Sequence, residues 1–200
     1  MTLLCDLETS PELSYLLGVR YGDMTVDTCV RRLALGVNDK DFAEEFVLAL
    51  KRYLGYYRRI YVMGDGRYVV SLGSKASKIL YDYFTLPLVI HKSVIERYPS
   101  NFLRGFSDSE GSVTFSKPKA KCVAPLISMY NDDREILEYI KFLLKQFFCI
   151  EARIYTYRRR GLHFILRINK HREQWIFFFE IGFSILRKQV KLMKGLCTCA

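Results

Sequence analysis

The chain has 200 residues, enough for one large domain or two small ones with cores of their own. Half of the residues are apolar, which excludes a disordered tail, and the net charge of +10 points to a polyanionic partner such as nucleic acid. No apolar run is long enough to span a membrane, no basic-then-apolar leader is present, and the six cysteines contain no C-x-x-C pair. A cytoplasmic, intracellular protein with free thiols, no zinc site and no membrane contact is expected. The charge is uneven: residues 1–100 carry 13 Lys/Arg against 12 Asp/Glu, and residues 101–200 carry 18 against 9.

The first half opens on Leu16-Leu17-Gly18-Val19-Arg20-Tyr21-Gly22-Asp23, read as a helix. Residues 25–35 follow, rich in β-branched side chains with partial alternation. Asn38-Asp39 starts a helix over 42–54, in which Phe42, Phe46, Leu50 and Leu54 recur at four-residue steps. Strands are predicted at 57–63 and 68–72 around the turn Gly64-Asp65-Gly66, then a helix over 75–84. Residues 86–100, bounded by Pro87 and Pro99, read as a joint.

The second half repeats this order. Leu103-Arg104-Gly105-Phe106-Ser107-Asp108-Ser109-Glu110-Gly111 matches the first motif. Strands at 111–115 and 124–130 lead to a helix start at Asn131-Asp132-Asp133 and a helix over 136–147. Strands at 152–157 and 162–169 pair around Arg158-Arg159-Arg160-Gly161, and a helix covers 172–183. The offset is 87 residues between Asp23 and Glu110, 93 between Asn38 and Asn131, and 96 between Ser71 and Arg167. The expected fold is α+β, a duplication of αββαββα, with one subdomain over 1–98 (motif 16–24) and the other over 99–200 (motif 103–111).

Each motif spaces two small residues four apart and then places a carboxylate. Gly18 and Gly22 share a helix face, as do Gly105 and Ser109. Glycine within a helix costs roughly 0.5–1 kcal/mol relative to alanine, so close helix–helix contact is the expected return. Asp23 and Glu110 fall at helix C-termini, where the macrodipole disfavours an anion. Two acids so placed suggest a shared divalent cation such as Mg²⁺, and the unpaired carbonyls of Gly22 and Ser109 could complete its ligand set. In a basic protein this suits metal-assisted attack of water on a backbone phosphate.

These residues resemble the single-chain, two-motif LAGLIDADG homing endonucleases of archaeal introns. Leu16–Asp23 and Leu103–Gly111 match the two motif copies, Asn131–Leu137 is similar to the strand-to-helix junction, and the likeness covers residues 13–195. It implies a monomer in which the motif helices form the interface and two antiparallel four-stranded sheets make a DNA-binding saddle, related by a pseudo-twofold axis. It further implies a double-strand break in a long asymmetric double-stranded DNA target, with 3′ overhangs. Asp23 and Glu110, the eighth motif residues, would bind Mg²⁺; Mn²⁺ would substitute, and Ca²⁺ would bind without cleavage. Lys92 and Lys188 fit the family's basic active-site residues. Two departures stand out. Met24 replaces the usual motif glycine, and Val37 and Tyr130 occupy the usual amide position, with Asn38 and Asn131 one residue further on as candidates to order water.

Alternation then selects a DNA-facing set. In the second half it comprises Arg153, Tyr155, Tyr157, His163, Ile165, Arg167 and Asn169, with Leu162, Phe164, Leu166 and Ile168 as core. In the first half Arg31, Arg67, Val69 and Ser71 are analogous. Lys117, Lys119, Lys121, Arg158, Arg159 and Arg160 read as phosphate contacts. The competing reading is a non-cleaving intron maturase or DNA-binding relative.

Overall fold

The computed structural model describes residues 7–55, 57–72, 74–115, 124–158 and 162–198. The chain divides into two compact units, one running to Phe106 and the other from Ser107. Each repeats the same chain order.

In the first unit, Ser10 starts α1 (Pro11–Tyr21) by accepting the amide of Leu13 at 3.1 Å. Every residue from Leu13 to Val19 is buried, so α1 is a central helix and not an amphipathic surface one. The sheet has the order β1-β2-β4-β3, all antiparallel, from β1 (Met24–Asp27), β2 (Arg32–Val37), β3 (Ile60–Val62) and β4 (Tyr68–Leu72). Residues 25–35 supply the first strand pair of the expected order, as a hairpin. Asp27 breaks the strand by accepting the amides of Cys29 and Val30, and Arg31 takes a left-handed φ of 50°. α2 (Lys40–Leu54) buries Phe42, Phe46, Val47 and Leu50 against α1 and the sheet, as its spacing predicts. α3 (Ser74–Phe84) packs on β2.

The predicted joint is itself a helix, α4 (Leu88–Arg97). Pro87 caps it and Pro99 follows it, so the prolines bound this helix and do not interrupt it. His91, Val94 and Ile95 turn inward at helical spacing. α5 (Pro99–Glu110) begins in this unit. Its first turns cross α1 so closely that a methyl on Gly18 would lie 2.7 Å from the backbone nitrogen of Phe106. One on Gly105 would meet the carbonyl of Tyr15. The expected small-residue contact is therefore made by the first small residue of each motif. Gly22 caps α1 from outside the helix.

In the second unit, β5 (Gly111–Phe115), β6 (Pro125–Asn131), β7 (Arg153–Arg158) and β8 (Leu162–Ile168) form an antiparallel sheet of order β5-β6-β8-β7. α6 (Arg134–Phe148) covers one face, with Ile136, Leu137, Ile140, Leu143 and Leu144 buried. Its cap is Asp133, which accepts the amide of Glu135 at 2.8 Å. α7 (His171–Ile176) widens into a π-helical turn over Phe177–Ile181 and ends at Gly182, where a single α-helix was predicted. Gln174 holds α7 to the sheet by donating to the carbonyls of Pro125 and Ile168. α8 (Leu186–Cys197), absent from the sequence expectation, packs Leu192 and Leu196 behind β5 and β6. Among the described residues, no helix is long and apolar enough to cross a membrane.

Strand register aligns the two units residue by residue. Met24 pairs with Leu35 as Gly111 pairs with Met129, and Leu35 pairs with Val70 as Met129 pairs with Leu166. Ala34 thus matches Ser128, Ser71 matches Arg167, and the caps Asp39 and Asp133 match. The helix starts are offset by 94 residues, one more than the asparagines suggested, so Asn131 corresponds to Val37 and Asp132 to Asn38.

Candidate nucleic-acid interface and metal site

The two faces of the second sheet differ sharply. Val113, Ile127, Met129, Leu166 and Ile168 are buried on the helix side. The other face carries the in-register row Ser112–Ser128–Arg167–Arg153, then Tyr130–Ile165–Tyr155, then His163–Tyr157. Among the described residues, α6 and α8 contact this sheet, and the burial of the first face marks it as the covered one. On the open face Arg153, Tyr130, Tyr155 and Tyr157 are exposed, and Arg167 stacks its guanidinium 5.2 Å from the Tyr155 ring centre. Leu162, expected in the core, is 52% exposed because β8 ends there at the hairpin, and Ile165 is buried though it faces the open side.

Glu110, the last residue of α5, opens into a cavity of about 470 Å³ on this face. Tyr130, Asn131, Asp132, Tyr157, His163 and Ile165 complete its lining. The structure therefore brings together Glu110, Tyr130, Asn131, Tyr157, His163 and Ile165, all singled out from the sequence. Asp132, read as a helix-start residue, instead holds His163 through a hydrogen bond between its carboxylate and Nδ1. Two consecutive carboxylates were the available signal, since only one of them can cap. The Asn131 side-chain oxygen accepts the Asp133 amide at 2.8 Å.

The end of α5 is held by a clasp that sequence reasoning missed. Asp108 is buried, and its carboxylate accepts the amide of Ser184 at 2.8 Å, just ahead of α8. Lys188, in the first turn of α8, is 7% exposed and donates through Nζ to the carbonyls of Asp108 at 2.6 Å and Ser107 at 3.3 Å. A cation at the helix C-terminus complements its dipole. Gly111 continues directly into β5, and a methyl there would lie 2.8 Å from the Phe183 ring.

The first unit handles the same position differently. α1 ends at Tyr21, so Gly22 and Asp23 lie in a turn and Asp23 is exposed; Met24 starts β1 and is buried. Lys92 is exposed on α4, and its neighbour His91 is the residue that turns toward the end of α1. Tyr21 donates to His91 Nδ1 at 2.7 Å, and His91 Nε2 donates to the carbonyl of Tyr83 at 2.9 Å. Burial holds the His91 pKa below its usual value, opposed by the bond to Tyr83.

Among the remaining candidates, Ser71 and Val69 face the open side of the first sheet with Thr25, Ala34, Gly36 and Tyr61. Arg31 lies in the β1–β2 turn, ion-paired to Asp82 and 5.2 Å from the Tyr81 ring centre. Arg67 lies in the β3–β4 turn and pairs with Asp65 at 2.7 Å. Both pairs are exposed and screened by solvent, so a phosphate can displace them. Asn38 is exposed after β2, and Asn169 bonds the Tyr155 hydroxyl at 3.4 Å. Arg158 ends β7. Lys117, Lys119, Lys121, Arg159 and Arg160 lie outside the described residues.

The chain is similar to two proteins of Methanocaldococcus jannaschii. It is 32% identical to the uncharacterized protein MJ0398, over 96% of this chain and 74% of that one. It is 34% identical to the uncharacterized protein MJ0314, over 66% of this chain and 53% of that one. Residues 97–182 match a LAGLIDADG-like domain.

The chain carries a LAGLIDADG-like domain.

Solved structures agree on the fold. The homing endonuclease I-DmoI in complex with DNA and Mn matches at a TM-score of 0.63 and 22% identity, over 88% of this chain and 98% of that one. Full-length DUF199/WhiA from Thermatoga maritima matches at 0.62 and 22%, over 99% of this chain; the chain spans 64% of WhiA.

Proposed function

We propose that this protein is a site-specific, intron-encoded homing endonuclease that makes a metal-dependent double-strand break in DNA. The observation that carries the reading is Glu110. It ends the second motif helix in a cavity on the one uncovered, Arg- and Tyr-bearing face of its sheet. A surface of this kind suits a nucleic-acid backbone, and a hard cation can join an acid at its edge to phosphate. Asp23, in the matching position of the first unit, would serve the other strand.

The residues present fit a hard divalent ion. Apart from His163, the polar side chains lining the cavity with Glu110 offer oxygen donors: Asn131, Asp132, Tyr130 and Tyr157. Among the described residues, no three His, Cys, Asp or Glu side chains converge on one point. Mg²⁺ tolerates this, because it takes one or two carboxylates and completes its octahedron with water and substrate phosphate. Mn²⁺ would substitute, and solved I-DmoI complexes hold DNA with Mn and with Ca. When bound, such an ion supplies a more acidic water and charge stabilisation at the phosphate.

The chain's own residues do the rest. The open sheet faces would hold the duplex, and Glu110 and Asp23 would each hold an ion in their own unit. Lys188 acts as a positioning residue: its ammonium fixes the last turn of α5 through main-chain oxygens, and so fixes Glu110. In the first unit, α4 presents His91 to the end of α1.

The non-cleaving reading, a maturase or DNA-binding relative, draws on the turn that carries Asp23 and on Met24 in the glycine position. One experiment separates the two. The protein is incubated with DNA carrying its host locus without the inserted element, in Mg²⁺ and in Ca²⁺. A double-strand break with 3′ overhangs in Mg²⁺, and binding alone in Ca²⁺, supports the endonuclease. Binding without cleavage in both ions overturns it in favour of the non-cleaving reading.

A further inference from the structure

The register-matched positions of the two open sheet faces are chemically unequal. The second unit sets Ser128, Tyr130 and Arg167 where the first has Ala34, Gly36 and Ser71. Two of these three exchanges remove a hydrogen-bonding side chain from the first unit, and the third replaces a guanidinium fork with a hydroxyl. The second face also holds unmet polar capacity. Arg167 Nε and Ser112 Oγ are buried without a hydrogen-bond partner, in the same cross-strand row. An unpartnered buried polar atom is costly, so the row is built for a ligand that supplies acceptors and donors. Stacking on Tyr155 already fixes the Arg167 guanidinium plane, which reduces the rotamer freedom it loses on binding.

We infer that sequence recognition is polarised: the half of the DNA target lying on the second unit is read base by base, while the half on the first unit is held with little discrimination. The inference rests on the DNA-binding reading above but not on cleavage. Arg pairs bidentately with the O6 and N7 atoms of guanine, and each good pair discriminates roughly tenfold or more against the wrong base. Ala34, Gly36 and Val69 offer a base edge only apolar contact or none.

The test is selection of bound duplexes from a fully randomised DNA library by the full-length protein in Ca²⁺, followed by sequencing. The expected result is a site whose base preferences crowd into one half, with the other half nearly unconstrained. Arg167→Ser should lower the preference at one or two base pairs of the crowded half at least tenfold and leave the other positions as they were. Arg153→Ala, at a more exposed position, should do the same at a neighbouring base pair. Lys141→Ala, on α6 behind the sheet, should change no base preference. Equal preference across both halves overturns the inference, as does an Arg167→Ser or Arg153→Ala variant that keeps every preference. Absence of any enriched sequence overturns the DNA-binding reading itself.

Discussion

The Nζ of Lys188 lies 2.6 Å from the main-chain oxygen of Asp108, and the carboxylate of Asp108 caps the approach to the helix that carries Lys188. Two helix ends are thus fastened to each other by reciprocal contacts, side chain to backbone in both directions. Glu110 sits two residues beyond the fastened carbonyl, so its placement depends on this clasp. Lys188→Met should therefore destabilise the protein by on the order of 2 kcal/mol, since it leaves two buried carbonyls without a charged donor. Asp108→Asn should cost less, about 1 kcal/mol, because the amide oxygen still accepts. The double variant should cost less than the sum, because the two contacts brace one junction. Urea denaturation measures all three; wild-type midpoints would contradict the clasp.

The crossing of α1 and the first turns of α5 leaves no space for a single methyl. Backbone atoms form the obstacle at both glycines, so no side chain can swing aside. Gly18→Ala and Gly105→Ala should each cost about 3 kcal/mol or more, at the upper end of overpacking effects. Gly64→Ala, in an open hairpin turn with nothing near its added methyl, should change stability by less than about 1 kcal/mol. Thermal melts of the three variants decide the point, and equal melting temperatures would refute it.

The buried imidazole of His91 makes stability depend on pH. Its folded pKa lies below the ordinary value near 6.5, chiefly through burial. The unfolded chain therefore binds a proton that the folded one refuses. Stability is full above about pH 6.5 and falls as the pH drops from there toward the folded pKa. His91→Phe should be less stable at neutral pH, because Tyr21 and the Tyr83 carbonyl lose their partner, and should show a shallower decline between about pH 6.5 and 5. Denaturation midpoints at several pH values measure the slope; an unchanged slope in the variant would contradict the assignment.

Much of this arrangement is legible in the residues. The αββαββα order follows from apolar spacing and turn chemistry, and Ser71 and Arg167 do occupy matching positions. Legibility fails where tertiary contact decides. α4 was hidden by its flanking prolines, which cap and follow it. α8 has a clear amphipathic pattern, but its one buried cation, Lys188, resembles a surface lysine until Asp108 is placed beside it. The pairing of Asp132 with His163 spans 31 residues, and no local pattern announces it. The asparagine offset misled by one residue because Asn131 ends a strand while Asn38 lies past one.

The account stands most directly on the carboxylates that end the two motif segments. A supercoiled plasmid carrying the bound site is incubated with Mg²⁺ and the wild-type, Asp23→Asn or Glu110→Gln protein, while binding is followed separately in Ca²⁺. Wild-type protein should linearise the plasmid. Each variant should bind DNA but form linear product roughly 100-fold or more slowly, the scale of loss expected when one charge-stabilising group is removed from a reacting centre. Linearisation at the wild-type rate by either variant would contradict the roles assigned to Asp23 and Glu110.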